Sequence, residues 1–283
     1  MCKVGLVLEG GASRGIFTAG VLDYLLEQDI SFPYVIGVSA GSGNASGFVS
    51  KQIGKFKELL SKETDPYFGL GQMRYSKKLL DTDSMINSYF YKRTPFDFDT
   101  FYASKAECEF VVTCCETGKP EYHDAKAAEE GLPTLTKASC SIPFLCEPVK
   151  LGDQHYLDGS LADSVPVRHT LENKCDKAVV VLTRNWIEEP PTDYARLKPA
   201  INIEYKKQYP LLADTLIKRK KNYERDMEQL DKYERQGAAY IIRPEGMGVK
   251  HFEKSSKKID AYYNHGREVI KWHMSGLCDF MSS

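Results

Sequence analysis

The pattern Gly-x-Ser-x-Gly occurs twice, once around Ser39 (Gly37-Val38-Ser39-Ala40-Gly41) and once around Ser13 (Gly11-Ala12-Ser13-Arg14-Gly15). Each copy follows a short apolar run and precedes residues at helical spacing, which is the context of a nucleophilic serine on a sharp strand-to-helix turn. A hydroxyl on such a turn stands at a helix N-terminus, where free N–H groups and the helix dipole stabilise an anionic intermediate. The pattern therefore predicts acyl-transfer chemistry, although two tight turns without chemistry would carry the same motif.

Ser39 is the preferred nucleophile of the two serines. Residues 37–47 are mostly small, so the helix that follows Ser39 can pack closely on a sheet and hold a strained turn. Ser13 lies instead in a Gly-rich segment and is followed by Arg14. Such a segment beside a catalytic turn supplies the backbone N–H donors of an oxyanion hole. We therefore assign Ser39 as the nucleophile and residues 10–15 as the oxyanion loop.

The same glycines do not predict a nucleotide site. A dinucleotide fingerprint needs Gly-x-Gly-x-x-Gly, and Ala12 occupies the position of its second glycine. A phosphate-binding Walker loop needs Lys and Ser or Thr after its last glycine, whereas Ile16 and Phe17 follow Gly15.

A serine nucleophile needs a base, and Asp158 is the preferred candidate. It ends a strand-like run, and Gly159 permits a tight turn that directs the carboxylate into a cleft. An Asp-Gly pair alone is usually only a turn, so the two histidines that flank it, His155 and His169, remain candidates. The other four histidines lie in no recognisable catalytic context: His123, His251, His265 and His273.

These motifs together resemble the patatin-like phospholipase family. Residues 8–15 resemble its Gly-rich oxyanion loop with its arginine, and the Ser39 motif, with Gly37 and Gly41, matches its nucleophile elbow. Asp158-Gly159-Ser160 stands where the family has Asp-Gly-Gly or Asp-Gly-Ala, and residues 138–144 resemble its Ala-Ser-x-x-x-Pro stretch. Order and spacing agree over about residues 3–185.

The resemblance implies a three-layer α/β/α fold with a mostly parallel central sheet, and a Ser39–Asp158 dyad without histidine. Asp158 would accept the proton of Ser39, an acyl-enzyme would form on Ser39, and water would release the fatty acid. Main-chain N–H groups of Gly10, Gly11 and Ala12 would hold the oxyanion. Arg14 would steady that loop or bind a phosphate head group.

Two positions depart from the family pattern. Ala12 replaces the third glycine of the loop, which costs energy if the position requires a positive φ. Ser160 replaces the small residue after Asp158-Gly159, and because serine is also small we expect the turn to persist.

Alternating apolar runs and helical patterns predict a parallel sheet covered on both faces. The predicted strands are 3–8, 34–38, 109–115, 177–182 and 238–242, with a hairpin turn at 118–120 and two short strands around 152–153. The predicted helices are 16–28, 39–49, 211–236 and 252–274. We expect a single domain over 1–283, with the catalytic motifs within 3–185 and a helical and strand extension over 186–283.

Composition restricts the class of protein. A net charge of −1 does not favour nucleic acid as a partner, and no apolar run approaches the roughly 20 residues of a membrane span. The first ten residues do not resemble a signal peptide, so we expect a cytoplasmic protein whose eight cysteines are reduced. No metal-ligand spacing is apparent, and we expect activity without metal or cofactor.

Two segments of the sequence have more than one interpretation. The basic run Lys218–Lys221 has the charge to contact an anionic membrane, but acidic neighbours favour a solvated helix face. The aromatic segment Tyr89–Phe101 lines an acyl channel, forms a lid, or belongs to the core. The sequence does not indicate an oligomeric state.

Three functions fit these residues. The first is a lipid acyl-hydrolase of the phospholipase A, lysophospholipase or carboxylesterase type, acting on phospholipid or another acyl ester. The second is an acyltransferase that uses the same dyad, because no residue selects water over another acceptor. The third is a non-catalytic lipid-binding protein, against which the intact Ser39, Asp158 and Gly-rich loop argue.

Overall fold

A computed structural model of the chain describes residues 2–60, 80–92, 94–185, 192–246 and 248–283. Eight strands within these residues form one mixed sheet. Several strands are runs of Val, Ile and Leu buried on both faces, the pattern of a sheet covered by helices. The strands are β1 (Val4–Leu8), β2 (Tyr34–Val38), β3 (Glu107–Cys114), β4 (Pro120–Asp124), β5 (Val149–Leu151), β6 (Gln154–Asp158), β7 (Lys177–Val181) and β8 (Ala239–Ile242).

The sheet is parallel at its centre and antiparallel at one edge. Its order is β5-β6-β3-β2-β1-β7-β8, and β4 also pairs with β3. Strands β3, β2, β1, β7 and β8 are parallel, whereas β4 and β6 run antiparallel to β3 and β5 runs antiparallel to β6. Parallel strands bring their carboxyl ends to one edge, where α/β proteins place their sites.

Helices cover both faces of the sheet. Strand β1 shows the division, because Leu6 and Leu8 belong to one apolar cluster and Val7 to another. The helices are α1 (Gly15–Glu27), α2 (Ala40–Val49), α3 (Lys55–Leu59), α4 (Thr82–Tyr91), α5 (Phe98–Ala103), α6 (Leu132–Ser139), α7 (Val167–Asn173), α8 (Lys198–Glu204), α9 (Pro210–Arg235) and α10 (Ser256–Ser282). Helices on the first face include α1, α2 and α10, and those on the second include α7 and α9.

This architecture confirms the predicted three-layer α/β/α fold with a mostly parallel sheet. The predicted hairpin is β3–β4, and the two short strands around Gly152 are β5 and β6. The closing helix was placed wrongly, since α10 begins at Ser256 and ends at Ser282. Ser255 caps it by accepting a hydrogen bond from the N–H of Lys258, which leaves residues 252–254 outside the helix.

Helices α1 and α10 cross at two glycines. A Cβ on Gly20 would lie 2.1 Å from the carbonyl oxygen of Tyr263, and one on Gly266 would lie 2.2 Å from that of Phe17. The two backbones therefore approach as closely as glycine allows. Through this contact the C-terminal helix packs directly on the helix that follows the Gly-rich loop.

Two further expectations concern thiols and membranes. None of the eight cysteines is disulfide-bonded in the structure. None of the described helices has the length and apolarity that a bilayer crossing requires.

Candidate active site

Ser39 occupies a strained turn between β2 and α2. Its backbone has φ 54° and ψ −123°, and it is the residue from which α2 begins. Glycine makes the turn possible, because a Cβ on Gly41 would lie 2.3 Å from the carbonyl oxygen of Leu8 and one on Gly37 would lie 2.3 Å from that of Gly41. The side chain of Ser39 thus stands at a helix N-terminus, where the local dipole favours negative charge.

Asp158 reaches the same position from the antiparallel edge of the sheet. Strand β3 pairs Val111 with Val38 on one side and Val112 with Asp158 on the other, so Asp158 lies level with the end of β2. The turn after Asp158 is tight, since a Cβ on Gly159 would lie 2.3 Å from the carbonyl oxygen of Val111. The register therefore explains how two residues distant in sequence meet.

The predicted Ala-Ser-x-x-x-Pro stretch connects the two residues. The N–H of Ser39 donates to the hydroxyl of Ser139 at 2.9 Å, and that hydroxyl donates to the carbonyl of Val111 at 2.8 Å. Two residues later, the carbonyl of Ser141 accepts from the N–H of Asp158 at 2.8 Å. Residues 139–141 thus bridge Ser39 and Asp158 through the hydroxyl of Ser139 and the carbonyl of Ser141.

Burial dominates the electrostatics of Asp158, which is 3% exposed. Burial raises the pKa of its carboxyl above the ordinary aspartate value. The Ser39 hydroxyl, the Ser160 N–H and the cation of Arg219 oppose that rise. The Ser160 N–H donates to the carboxylate at 2.8 Å. A carboxylate of raised basicity beside a serine hydroxyl is suited to accept its proton.

The Gly-rich loop lies against the nucleophile. A Cβ on Gly10 would meet the Cβ of Ser39 at 2.9 Å, so only glycine permits this approach. Ala12 adopts φ 49°, the positive value at which a glycine would be less strained. No described residue accepts a hydrogen bond from the main-chain N–H of Gly10, Gly11 or Ala12. These three N–H groups belong to the loop that contacts Ser39 at Gly10.

Glu9, which the sequence argument gave no role, tethers this loop. It is 2% exposed, and its carboxylate accepts from the N–H of Thr183 at 2.6 Å and from the hydroxyl of Tyr223 at 3.2 Å. Thr183 also donates its hydroxyl to the carbonyl of Gly10 at 2.7 Å. Arg184 lies 3.8 Å from the same carboxylate. Contacts across 174 residues of sequence therefore hold the loop, and no local pattern encodes them.

Ser13 and Arg14 both contact the segment before α10. The N–H of Ser13 donates to the carbonyl of His251 at 3.0 Å, and its hydroxyl accepts from the N–H of Glu253 at 3.2 Å. The guanidinium of Arg14 lies 3.0 Å from Nδ1 of His251. These contacts give Ser13 a structural role and attach the Gly-rich loop to the C-terminal part of the chain.

The candidate histidines lie apart from Asp158. His155 pairs with Glu116 at 3.0 Å, and His169 pairs with Glu109 at 2.8 Å. His251, which the sequence did not single out, instead borders the site. Burial and the neighbouring cations of arginines lower its pKa to about 3, so the ring is neutral at neutral pH.

Two cavities meet at Ser39. One, the apolar cavity, has a volume of about 130 Å³ and is lined mainly by Phe56, Leu59, Leu80, Met85, Ile86 and Tyr89. The other, the polar cavity, has a volume of about 1020 Å³, and its charged and polar lining includes Arg14, Asp158, Arg184, Arg219, Lys250 and His251. Ser39, Ile142 and Phe252 line both cavities. The site therefore presents an apolar and a cationic compartment on either side of one hydroxyl.

In each of the two segments that had more than one interpretation, different residues lie in different environments. In the basic run, Lys218 and Lys221 are exposed, but Arg219 turns inward and lines the polar cavity, which corrects the expectation of a solvated face throughout. In the aromatic segment, Tyr89 lines the apolar cavity, whereas Phe90, Phe96 and Phe101 are buried in the core.

Comparison with known sequences places these features in a family. The family described as patatin-like phospholipase matches residues 6–171, more than half of the chain. A second family, described as a domain of unknown function (DUF6363), matches residues 209–282.

Curated relatives include one bacterial and several fungal proteins. The chain is 30% identical over 195 residues to the uncharacterized protein YjjU of Escherichia coli K12, covering 64% of this chain and 52% of YjjU. It is 26% identical over 205 residues to the lysophospholipase NTE1 of Debaryomyces hansenii, covering 68% of this chain and 12% of that protein. The chain thus spans about half the length of the first relative and about an eighth of the second.

Among solved structures, the chain resembles VipD from Legionella pneumophila. The TM-score is 0.57 at 13% sequence identity, and the match covers 97% of this chain and 67% of VipD. At this identity the likeness concerns the fold alone.

Proposed function

The chain belongs to the patatin-like phospholipase family, and from that membership we propose that it is a serine-dependent hydrolase of lipid acyl esters. The observation that carries the proposal is the position of Ser39. Its hydroxyl lies on a strained turn at a helix N-terminus, beside the buried Asp158 and between an apolar and a cationic cavity. The lysophospholipase NTE1 among the relatives supports the same class of substrate.

The proposed reaction proceeds through an acyl-enzyme. Ser39 Oγ attacks the acyl carbonyl while Asp158 takes its proton, and the N–H groups of Gly10, Gly11 and Ala12 hold the resulting oxyanion. Collapse of the tetrahedral intermediate breaks the ester bond, and the leaving alcohol takes the proton from Asp158. Asp158 then takes a proton from water as that water attacks the acyl group. It gives this proton to Ser39 Oγ as the second tetrahedral intermediate collapses, which releases the fatty acid and restores both residues.

The two cavities orient the ester substrate in this proposal. The apolar cavity takes the acyl chain, because its side chains offer almost only carbon atoms. The polar cavity takes the alcohol part of the ester. The neutral His251 is engaged by Arg14 and does not serve as the base in this proposal.

Hydrolysis by matched variants tests the proposal. We would measure release of p-nitrophenol from acyl esters of increasing chain length, and of fatty acid from a lysophospholipid. Ser39→Ala and Asp158→Asn should each lower kcat by about 10³-fold or more, since nucleophile and base are removed.

The controls use residues of the same type nearby. Ser13→Ala and Asp153→Asn, a change in the exposed β5–β6 turn, should retain most of the activity. Full activity of Ser39→Ala would contradict the proposal. Transfer of the acyl group to added glycerol in preference to water would replace hydrolysis by acyl transfer.

A further inference from the structure

Helix α9 contacts the segment that follows Asp158 at two points. Arg219 Nε donates to the carbonyl of Ser160 at 3.2 Å. About two turns further along α9, Asp226 Oδ2 accepts from the N–H of Ser164 at 3.4 Å. The hydroxyl of Ser164 donates to the carbonyl of Ser160 at 2.8 Å, and the N–H of Ser160 donates to the Asp158 carboxylate at 2.8 Å. Helix α9 therefore supports the turn that carries the proposed base.

The second contact brings two carboxylates together. Asp163 precedes Ser164, and both Asp163 and Asp226 line a cavity of about 220 Å³. This cavity shares no described lining residue with the two cavities at Ser39. Asp226 is 6% exposed, and Asp163 accepts from the hydroxyl of Tyr122 at 2.7 Å. The two carboxylates thus lie outside the cavities of the proposed reaction.

The positive charges near this pair of carboxylates lie toward solvent. The described charged and titratable groups that face the pair or line its cavity are Arg225 on α9, Arg168 and His169 on α7, Tyr122 on β4, and Lys119 in the turn before β4. Arg225 lies 3.0 Å from Asp226, but its side chain is 55% exposed, and that of Arg168 is 57% exposed. His169 pairs with Glu109 at 2.8 Å. Because water screens exposed cations, they neutralise a buried carboxylate only in part.

Removal from water sets the protonation of the pair. Burial and the charge of Asp163 raise the pKa of Asp226 to about 7. Burial also raises the pKa of Asp163, which the hydroxyl of Tyr122 and the neighbouring cations oppose. Two carboxylates that share a buried site keep one proton between them, because ionising both places like charges side by side.

We propose that Asp163 and Asp226 share one proton in the folded protein, and that the protonated pair positions the Asp158 turn against α9. With the proton in place, Asp226 keeps its contact with Ser164. Loss of the proton to water leaves two like charges, which push α9 away from residues 160–164 and weaken the support of Asp158. Asp163 belongs to the patatin-like segment and Asp226 to the segment that matches a domain of unknown function, so the pair couples the two.

The pH dependence of stability tests the pair independently of catalysis. The folded pair releases its proton at a higher pH than an unfolded aspartate does, so its contribution to stability is present in acid and is lost as the pH rises through about 7. Asp226→Asn, in which an uncharged amide replaces the carboxyl, should escape this loss. We expect the ratio of the unfolding equilibrium constants, wild type to Asp226→Asn, to rise about tenfold or more between pH 5 and 8 in urea titrations.

Two further substitutions control for the loss of a carboxyl. Asp214→Asn removes an exposed carboxyl of α9 that pairs with Lys206 at 3.0 Å. Because Lys206 lowers the pKa of Asp214, this carboxyl is ionised from pH 5 to 8, and its ratio should not change with pH. Asp163→Asn should reproduce the change seen in Asp226→Asn, since the pair holds a single proton. A ratio for Asp226→Asn that stays constant from pH 5 to 8 would overturn the proposal.

Hydrogen exchange distinguishes positioning from a general effect on stability. After correction for intrinsic exchange rates, protection of the amides in residues 158–165 should fall above pH 7 in the wild type and persist in Asp226→Asn. Strand β1 should stay equally protected in both proteins. With the proposed hydrolase, kcat/KM on a neutral ester should decline over the same pH range in the wild type and not in Asp226→Asn. Equal protection of residues 158–165 in the two proteins at every pH would overturn the positioning role, whatever the outcome for hydrolysis.

Discussion

At the scale of the residue, Ser39 has a strained backbone conformation that its surroundings impose. A non-glycine residue at positive φ costs about 1–2 kcal/mol, so the surrounding contacts must impose it. The close approaches at Gly37 and Gly41 and the hydrogen bond to Ser139 supply that constraint. Its motif is local, which is why the candidate nucleophile could be proposed from spacing alone.

The proposed role of Asp158 as the base predicts how activity depends on pH. A base acts only when ionised, and burial raises the pKa of this carboxyl above its ordinary value of about 3.9. We expect kcat/KM to fall as the pH falls through that raised pKa, and to be constant above it until other groups titrate. Because the Arg219 cation lowers the pKa of Asp158, Arg219→Gln should move the acid limb to higher pH.

The measurement is a profile of kcat/KM from pH 4 to 9 on a neutral ester. Lys218→Gln is the matched control and should keep the wild-type limb. A profile that stays flat to pH 4 would argue against a buried carboxylate base. A limb that disappears in His251→Gln would assign the base to that histidine.

Ala12, the residue at positive φ in the proposed oxyanion loop, gives a second prediction at the scale of the residue. Ala12 has φ 49°, so Ala12→Gly relieves about 1–2 kcal/mol of strain and adds about 0.4–1 kcal/mol of chain entropy to the unfolded state. We expect Ala12→Gly to leave Tm unchanged or slightly higher and to retain activity.

Ala200→Gly, an exposed change in α8, provides the comparison and should lower stability by about 0.5–1 kcal/mol. Thermal unfolding of the two variants side by side decides the question. An equal loss of stability in both would show that position 12 does not favour glycine.

Residue identity alone did not reveal the supporting groups. Glu9, His251 and Arg219 contact the site through partners more than fifty residues away. Arg219 in particular lies in a run of cations that composition assigns to solvent, and only the rotation of α9 on the sheet turns it inward. Such contacts depend on packing, for which the sequence carries no local signal.

At the scale of elements, the sequence was most informative about strands. Runs such as Tyr34–Val38 are apolar on both faces and are bounded by turn residues, so their limits agree with the structure. Helix ends were less accurate. The start of α10 was misplaced because the apolar residue Phe252 fits the helical pattern but packs beside Ser39 at the junction of the two cavities.

The crossing of α1 and α10 yields a prediction for these elements. Gly266→Ala would place a Cβ 2.2 Å from the carbonyl oxygen of Phe17, and backbone atoms can yield only if the helices separate. We expect a loss of roughly 1–3 kcal/mol in the free energy of unfolding, as for overpacked cores.

Gly276→Ala on the same helix is the control, because its Cβ would meet only the hydroxyl tip of Tyr240 at 2.9 Å. It should change stability by less than about 1 kcal/mol. Denaturant unfolding measures both. Equal effects of the two substitutions would contradict the close crossing.

At the scale of the whole molecule, the C-terminal residues contribute to both the sheet and the site. Strand β8 pairs with β7, α10 packs on α1, and α9 carries Arg219 and Tyr223 to the polar cavity. We propose that the chain forms one folding unit, although two family descriptions divide it. Intrinsic fluorescence and far-ultraviolet circular dichroism should then report one coincident unfolding transition. Two separated transitions would divide the chain into independent domains.

The most direct test of the proposed Ser39–Asp158 dyad is covalent labelling of the nucleophile. We would react the protein with an alkyl fluorophosphonate, digest it and locate the adduct by mass spectrometry. A Ser39–Asp158 dyad predicts a single adduct on Ser39, labelled at the wild-type rate in Ser13→Ala and at least about a hundredfold more slowly in Asp158→Asn. An adduct on Ser13, or labelling of Ser39 at an unchanged rate without Asp158, would contradict it.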